Sequence, residues 1–468
     1  MPHIETDYLI IGAGAVGLAF ADTLLDETDA HITIVDRHGK PGGHWNDAYS
    51  FVALHQPSAF YGVNSLELGT NRKDTIGINK GLYELASGPE VSGYFSRVMH
   101  QKLLPSGRVS YHPMSDYSGD GRFVSLLSGA QTEVKARKRV VDATYYGTSV
   151  PSTHKPKYRV AEGVRLVPPN ALPGLWQQAG ERAAHYTVIG AGKTAMDVVV
   201  WLLQSGALPD SISWVMPRDS WLVNRLHTQP GMEFFQESMG GQADQMEAIA
   251  NASSVDDLFA RLEASGQMLR IYPDHKPEMF HYATMSTGEV ELLRQVRNVI
   301  RMGHVQAVEA DGPVLDQGRV PMPPGTLYID CTASAVQQRP AQPIFQPGKL
   351  VLQIVRAPFP TFSAALVAWV EAHLDDDKQK NRMCSVVTFP QNPAGYLGAT
   401  LVSMMNQFQW SQDKALRAWI RNSRLDGFAK MVASVDAADT EKVAILTRLR
   451  TLVPAAMANA QKLMAQET

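Results

Sequence analysis

Cysteine is scarce in this chain: two thiols, Cys331 and Cys384, in 468 residues. They have no metal-ligand spacing and make no disulfide framework, and the lack of a close Cys pair argues against dithiol redox chemistry. An excess of charge of either sign is also lacking. The formal net charge is −3, with acids and bases mixed along the chain, so no nucleic-acid partner is expected. No apolar run approaches the roughly 20 residues that span a bilayer, so no membrane partner is expected either. Residues 1–7 run straight into an apolar strand without the basic segment and apolar core of a signal peptide, which makes a reducing, cytoplasmic location the expectation. What is present is length for about two or three domains.

Residues 8–17 read Tyr-Leu-Ile-Ile-Gly-Ala-Gly-Ala-Val-Gly, a short apolar run that breaks into G-x-G-x-x-G. Leu9, Ile10 and Ile11 have the character of a buried parallel strand and residues 18–25 that of a helix, so the glycines fall at a strand-to-helix junction. There Gly12 permits a tight turn and Gly14 lets the backbone approach a pyrophosphate. Gly17 lets the helix pack close to the strand, leaving free N–H groups aimed at the phosphate. A second strand, 32–35, ends at Asp36, whose carboxylate stands about 20 residues on, where an acceptor for ribose hydroxyls belongs, and Arg37 beside it is expected among the cofactor-binding residues.

The pattern returns at residues 188–195, Val-Ile-Gly-Ala-Gly-Lys-Thr-Ala, where Gly190, Gly192 and Ala195 give G-x-G-x-x-A ahead of a second helix. Gly192-Lys193-Thr194 is not a P-loop, since that motif needs glycine at 187, which is threonine. Each glycine turn is followed later by an apolar strand ending in Asp-x-Thr, at 142–144 and again at 330–332. Two nucleotide domains explain both halves. The strand 212–216 ends in Met216 instead of the acid of an NAD site, and Arg218 follows, a guanidinium suited to the ribose 2′-phosphate of NADPH. The expected fold class is therefore α/β with two Rossmann-like dinucleotide-binding domains.

Just past Asp36 the chain reads Gly-Gly-His-Trp at 42–45. Strand, G-x-G-x-x-G, acid and Gly-Gly-x-Trp together resemble the class B flavoprotein monooxygenases, the flavin-containing, Baeyer–Villiger and N-hydroxylating enzymes. The resemblance implies that the first site holds FAD, with Gly43 and Trp45 among its residues, and that the second is an inserted NADPH domain. It implies single-component monooxygenation of a small organic substrate with O2 through a C4a-(hydro)peroxyflavin. A reductase or dehydrogenase without oxygen transfer, or a flavin-binding sensor or partner protein, is the alternative. Substrate and oligomeric state are left open.

Residues 54–61 are similar to the Asp-x-x-Ser-x-x-Tyr stretch beside the flavin of Baeyer–Villiger enzymes, with Ser58 and Tyr61 in place and His55 at the aspartate position. In those enzymes the acid orients an arginine. An imidazole can accept, donate or change charge near neutral pH, which makes His55 the candidate proton-handling group, with Gln56 as a hydrogen-bond donor. The same histidine reads equally well as a satisfied structural residue. Between the glycine motifs, the F-x-G-x-x-x-H-x-x-x-W of Baeyer–Villiger enzymes is missing from residues 165–185, which removes support for oxygen insertion next to a ketone.

The expected domains are 1–160 for the first part of the FAD domain, 161–330 for the inserted NADPH domain, and 331–468 for the return to the FAD domain with a helical end. Helical patterns cover 80–104, interrupted by Gly88-Pro89, most of 222–298 including 288–299, and then 362–374, 412–423 and 441–463. Strands are expected at 109–112, 123–127, 133–136 and 139–144. Trp369, Phe408, Trp410 and Trp419 read as core and lid packing.

Overall fold

Strand β1, His3–Ile11, buries Tyr8, Leu9 and Ile10, and a run hidden on both faces belongs at the middle of a parallel sheet. There it lies, in a computed structural model that describes residues 2–178, 182–334 and 336–467. β1 pairs in parallel with β2, Ile32–Val35, on one side and with the strand Gln131–Asp142 on the other. Val109–His112 extends the sheet beyond β2, and Lys349–Val351 extends it beyond 131–142, so early and late parts of the chain build one sheet. The intervening helix α1, Ala15–Glu27, shares a core with the helix Pro360–His373, in which Leu18, Phe20 and Leu24 are buried with Phe362, Leu366 and Val370.

A second parallel sheet runs in the order 298–300, 212–215, 186–189, 327–330, 166–167. Its centre, Tyr186–Ile189, is wholly buried and feeds the helix Lys193–Gln204. The α/β architecture with two Rossmann-like units is thus present. The sequence echo is also a structural one. Asp142 Oδ1 accepts from Thr144 N at 2.9 Å and from Thr144 Oγ1 at 2.7 Å; Asp330 Oδ1 accepts from Thr332 N at 3.1 Å and from Thr332 Oγ1 at 2.6 Å.

Several local expectations are corrected. Gly88-Pro89 begins a helix, Gly88–Arg97, instead of interrupting one. Ser87 Oγ accepts from Glu90 N, and the Glu90 carboxylate accepts from Ser87 N at 2.7 Å, a reciprocal cap that replaces two missing backbone partners. Pro89 sits in the first turn, where an N–H has no acceptor anyway. Residues 222–298 hold the helices Gly241–Asn251, Val255–Ala264 and Thr287–Leu293, but Ser220–Asn224 and Met279–Met285 pair as parallel strands. The helix expected over 288–299 stops at Leu293, because Asn298–Ile300 is drawn into the second sheet beside Ser213–Val215. The strands expected at 133–136 and 139–144 merge in Gln131–Asp142, and 123–127 shortens to Arg122–Ser125.

The helical end comprises Pro393–Gln412, Lys414–Asn422, Phe428–Ala433 and Thr440–Glu467. Its Tyr396 packs on Phe259 of the helix Val255–Ala264 and on Phe280 of the strand Met279–Met285. Trp410 and Trp419 gather around Phe362, and Trp369 stands beside Trp419. Phe408 departs from that group and is 63% exposed, because it falls on the solvent side of its helix.

Candidate functional site

At the first glycine turn, Gly12 N donates to Val35 O at 2.8 Å, binding the turn to the neighbouring strand end. A Cβ at Gly17 would lie 2.1 Å from Gly12 O, so any side chain there would push α1 off the strand. Gly43 has φ +57°, and a Cβ on it would stand 2.9 Å from the Gly14 Cα. The Gly-Gly-His-Trp loop therefore closes directly against the turn, helped by Gly42 N donating to Ala13 O at 2.8 Å. Trp45 Nε1 donates to Tyr61 Oη at 2.8 Å, joining this loop to residues 55–61.

Asp36 is buried. Its Oδ2 accepts from Ala13 N at 2.5 Å, and its Oδ1 accepts from His38 N at 2.7 Å and lies 2.9 Å from His38 Nδ1. A carboxylate offers about four acceptor directions, so one remains for a ribose hydroxyl. Arg37 turns outward toward Asp116 at 3.5 Å and does not join this group. Tyr111 Oη is a buried polar atom without a protein partner among the described residues, and Asp36 adds to the effect of burial in raising its phenol. Such an atom is costly to leave unmade, and with the spare Asp36 direction it fits the polar edge of an adenosine.

The second turn repeats the first. Gly190 N donates to Val215 O at 3.0 Å, and Ala195 is buried where the helix meets the strand. A Cβ placed on Gly192 would meet nothing within 4 Å, an open cradle where a pyrophosphate would come. Met216 is buried, whereas Arg218 is exposed and makes no hydrogen bond or ion pair among the described residues. Its neighbour Asp219 is occupied by Arg301 through contacts of 2.6 and 2.9 Å. These residues fit a dinucleotide with a 2′-phosphate.

His55 and Gln56 lie on the loop between the sheets, both half-buried. Burial, and then the charges of Lys193 and Arg225, hold the His55 imidazole well below its ordinary value of 6.5. It is therefore a neutral donor and acceptor at neutral pH. Sequence reasoning missed the groups that hold it. Fully buried Arg225 donates from Nε to His55 O at 2.9 Å, from Nη1 to Asn79 Oδ1 at 2.9 Å and from Nη2 to Thr284 O at 3.2 Å, and it pairs with Glu289 at 2.7 Å. Burial alone would raise the Glu289 carboxyl, but Arg225 with Lys193 outweighs it and the net shift is downward. Glu289 was legible as the acid of a Ser286-x-x-Glu289 cap, three residues past the serine, a role it also fills; its pairing with Arg225 had no local signal.

Two further contacts join the halves. Lys193, at the start of the second helix, pairs with Asp197, and Asp197 accepts from Tyr49 Oη at 2.7 Å. Phe51 stacks on Trp201 at 5.1 Å. From the helical end, Arg424 donates to the carbonyls of Ala59, Tyr61 and Leu66 at 2.7, 2.6 and 3.0 Å, and Phe428 packs on Phe60. Among the described residues no group of three His, Cys, Asp or Glu could hold a metal, and no helix is long and apolar enough to cross a membrane.

Two parallel sheets, each with its own glycine turn, define an α/β fold with two Rossmann-like dinucleotide-binding units. Residues 10–68 match the NAD(P)-binding Rossmann-like domain family. The polycyclic ketone monooxygenase of Thermothelomyces thermophila has the same fold, with a TM-score of 0.51 at 13% identity, covering 100% of this chain and 88% of that one. The chain belongs to the family of the uncharacterized protein Rv2000 of Mycobacterium tuberculosis. The two are 49% identical over 432 residues, which is 92% of this chain and 79% of that protein. The uncharacterized protein Mb2023 of Mycobacterium bovis matches at the same identity and coverage.

Proposed function

We propose that the protein is an FAD-dependent, NADPH-using monooxygenase acting on a small organic substrate. Overall, substrate, NADPH, a proton and O2 give oxygenated substrate, NADP+ and water. When bound, FAD supplies the hydride acceptance and the oxygen delivery. The protein's part is to hold and to exclude. Gly12, Gly14, Gly17, Asp36, Gly43 and Trp45 bind the first dinucleotide, and Gly190, Gly192, Ala195 and Arg218 the second. His55 and Gln56 present neutral hydrogen-bonding groups between them. The division that goes with this reading is 1–160 and 331–468 for the FAD side and 161–330 for the NADPH side.

The observation that carries the reading is the seating of the His55 loop, pinned from the second half by Arg225 and from the helical end by Arg424. A loop tied by hydrogen bonds to both the second half and the helical end supports that reading, because positioning a donor against an acceptor requires such fixing. Cys331 and Cys384 are free and buried, and burial pushes both thiols up, which speaks against disulfide reduction.

The purified protein tests this directly. A yellow chromophore bleached by NADPH, a transient flavin–oxygen absorbance on mixing with air, and an oxygenated product from a panel of acceptors are expected. Fast reoxidation without that transient would assign a reductase instead, and a flavin that NADPH never bleaches would assign a sensor or partner protein.

A further inference from the structure

His38 stands between two carboxylates. Its Nδ1 is 2.9 Å from Asp36 Oδ1 and its Nε2 is 2.7 Å from Asp47 Oδ2. A neutral imidazole has a single N–H and can donate to only one of them; both are satisfied together only by the imidazolium. The hydrogen bond that His38 donates to Asp36 leads in lifting the imidazole to about 9 against the opposing effect of burial, and Asp47 adds to the lift. The other charged or titratable groups around it do not compete for its protons. His44, on the turn before Asp47, is kept neutral by burial, at about 4. Arg37 is directed to Asp116, Lys40 is exposed in the same loop, and the Tyr111 phenol, across on the next strand, is pushed up by burial and by Asp36.

The bridge continues outward. The carbonyl of Asp47 accepts from Ser152 Oγ at 2.5 Å, on the stretch that leaves the first sheet, and from Asn170 Nδ2 at 3.1 Å, just past the second sheet's strand 166–167. We propose that His38, as an imidazolium, is a positioning residue that fixes Asp36 for the ribose of the first dinucleotide and ties that pocket through Asp47 to the crossing at 152–170. The inference rests on the FAD reading of the first site. Nothing in the sequence motif assigns a role to this histidine. It neither touches the phosphates nor replaces the acid, and it acts by keeping the acid in place.

The test uses the full chain. FAD affinity is measured by flavin fluorescence from pH 7 to 10 for the natural protein and for His38→Gln, and the imidazole is titrated by NMR with labelled histidine. The natural protein should bind FAD at pH 7 and weaken by about tenfold as pH passes about 9, the size expected for losing one charge-assisted hydrogen bond. His38→Gln should already be about tenfold weaker at pH 7 and show no such step. The His38 resonance should titrate near 9, and its midpoint should fall in Asp47→Asn. FAD addition should slow amide exchange in 150–171 of the natural protein more than in His38→Gln. Equal FAD binding by both proteins at every pH, or a His38 midpoint near 6.5, would overturn the proposal. Failure of the natural protein to bind any FAD would instead overturn the flavin reading, and the NMR midpoint would still decide the bridge.

Discussion

Arg225 Nε donates to the main-chain carbonyl of His55 at 2.9 Å, so a guanidinium from the inserted half holds the backbone of a loop that follows the first glycine turn. The bond fixes where the imidazole stands without using the imidazole itself. The same guanidinium is buried against Glu289, and that pair is why the arrangement tolerates a cation at zero exposure.

Arg225→Met should leave Glu289 buried and uncompensated and cost about 3–5 kcal/mol of stability. Replacing both, Arg225→Met with Glu289→Gln, which removes the charge and keeps an acceptor for Ser286 N, should recover most of that loss while still freeing the His55 loop. Denaturant titration of the two variants separates the effects. Equal destabilisation of single and double variants would show that the charge pair is not the reason.

Opposite pH dependences are expected from two histidines. The folded value of His55 lies below 6.5, so the unfolded chain binds the extra proton and stability falls as pH drops below about 6.5, by up to roughly 1.4 kcal/mol per pH unit for one proton. The folded value of His38 is raised to about 9, so its contribution is complete below 6.5 and is lost as pH rises through about 9. Unfolding midpoints measured from pH 5 to 10 should flatten on the acid side in His55→Asn and on the alkaline side in His38→Gln.

If Arg218 reads the 2′-phosphate, Arg218→Ala should weaken NADPH by about 10- to 100-fold, the size of a lost hydrogen bond to a charged group, and leave NADH nearly unchanged. Binding titrations with both nucleotides check this, and equal losses would reject the assignment.

Arg424→Met should remove the donors that hold the carbonyls of Ala59, Tyr61 and Leu66. Faster amide exchange across 58–66 is expected, with a cost of roughly 1–3 kcal/mol for the acceptors left unsatisfied. Unchanged exchange there would mean that Phe428 on Phe60 suffices to seat the loop.

The glycine turns were legible because their requirements are local. A turn, a close approach and a helix start occupy consecutive positions, and the Asp142 and Asp330 locks sit within three residues each. Gly88-Pro89 was misread because the cap that makes it a beginning depends on Ser87 and Glu90 acting together. The strand at 298–300 was misread as helix because its partner lies more than eighty residues earlier, at 213–215. The Arg225–Glu289 pair and the Lys193–Asp197–Tyr49 contacts had no signal for the same reason, since each needs two distant segments to meet.

The paired Asp-x-Thr locks have a mechanical consequence. They close the ends of two strands in two different sheets, and just past each lock the chain crosses to the other half, once after 144 and again after 332. Each lock ties a hydroxyl and an amide of the departing chain to the carboxylate of the strand it leaves, so the direction in which the chain starts each crossing is fixed at the sheet edge and not along the connecting segment.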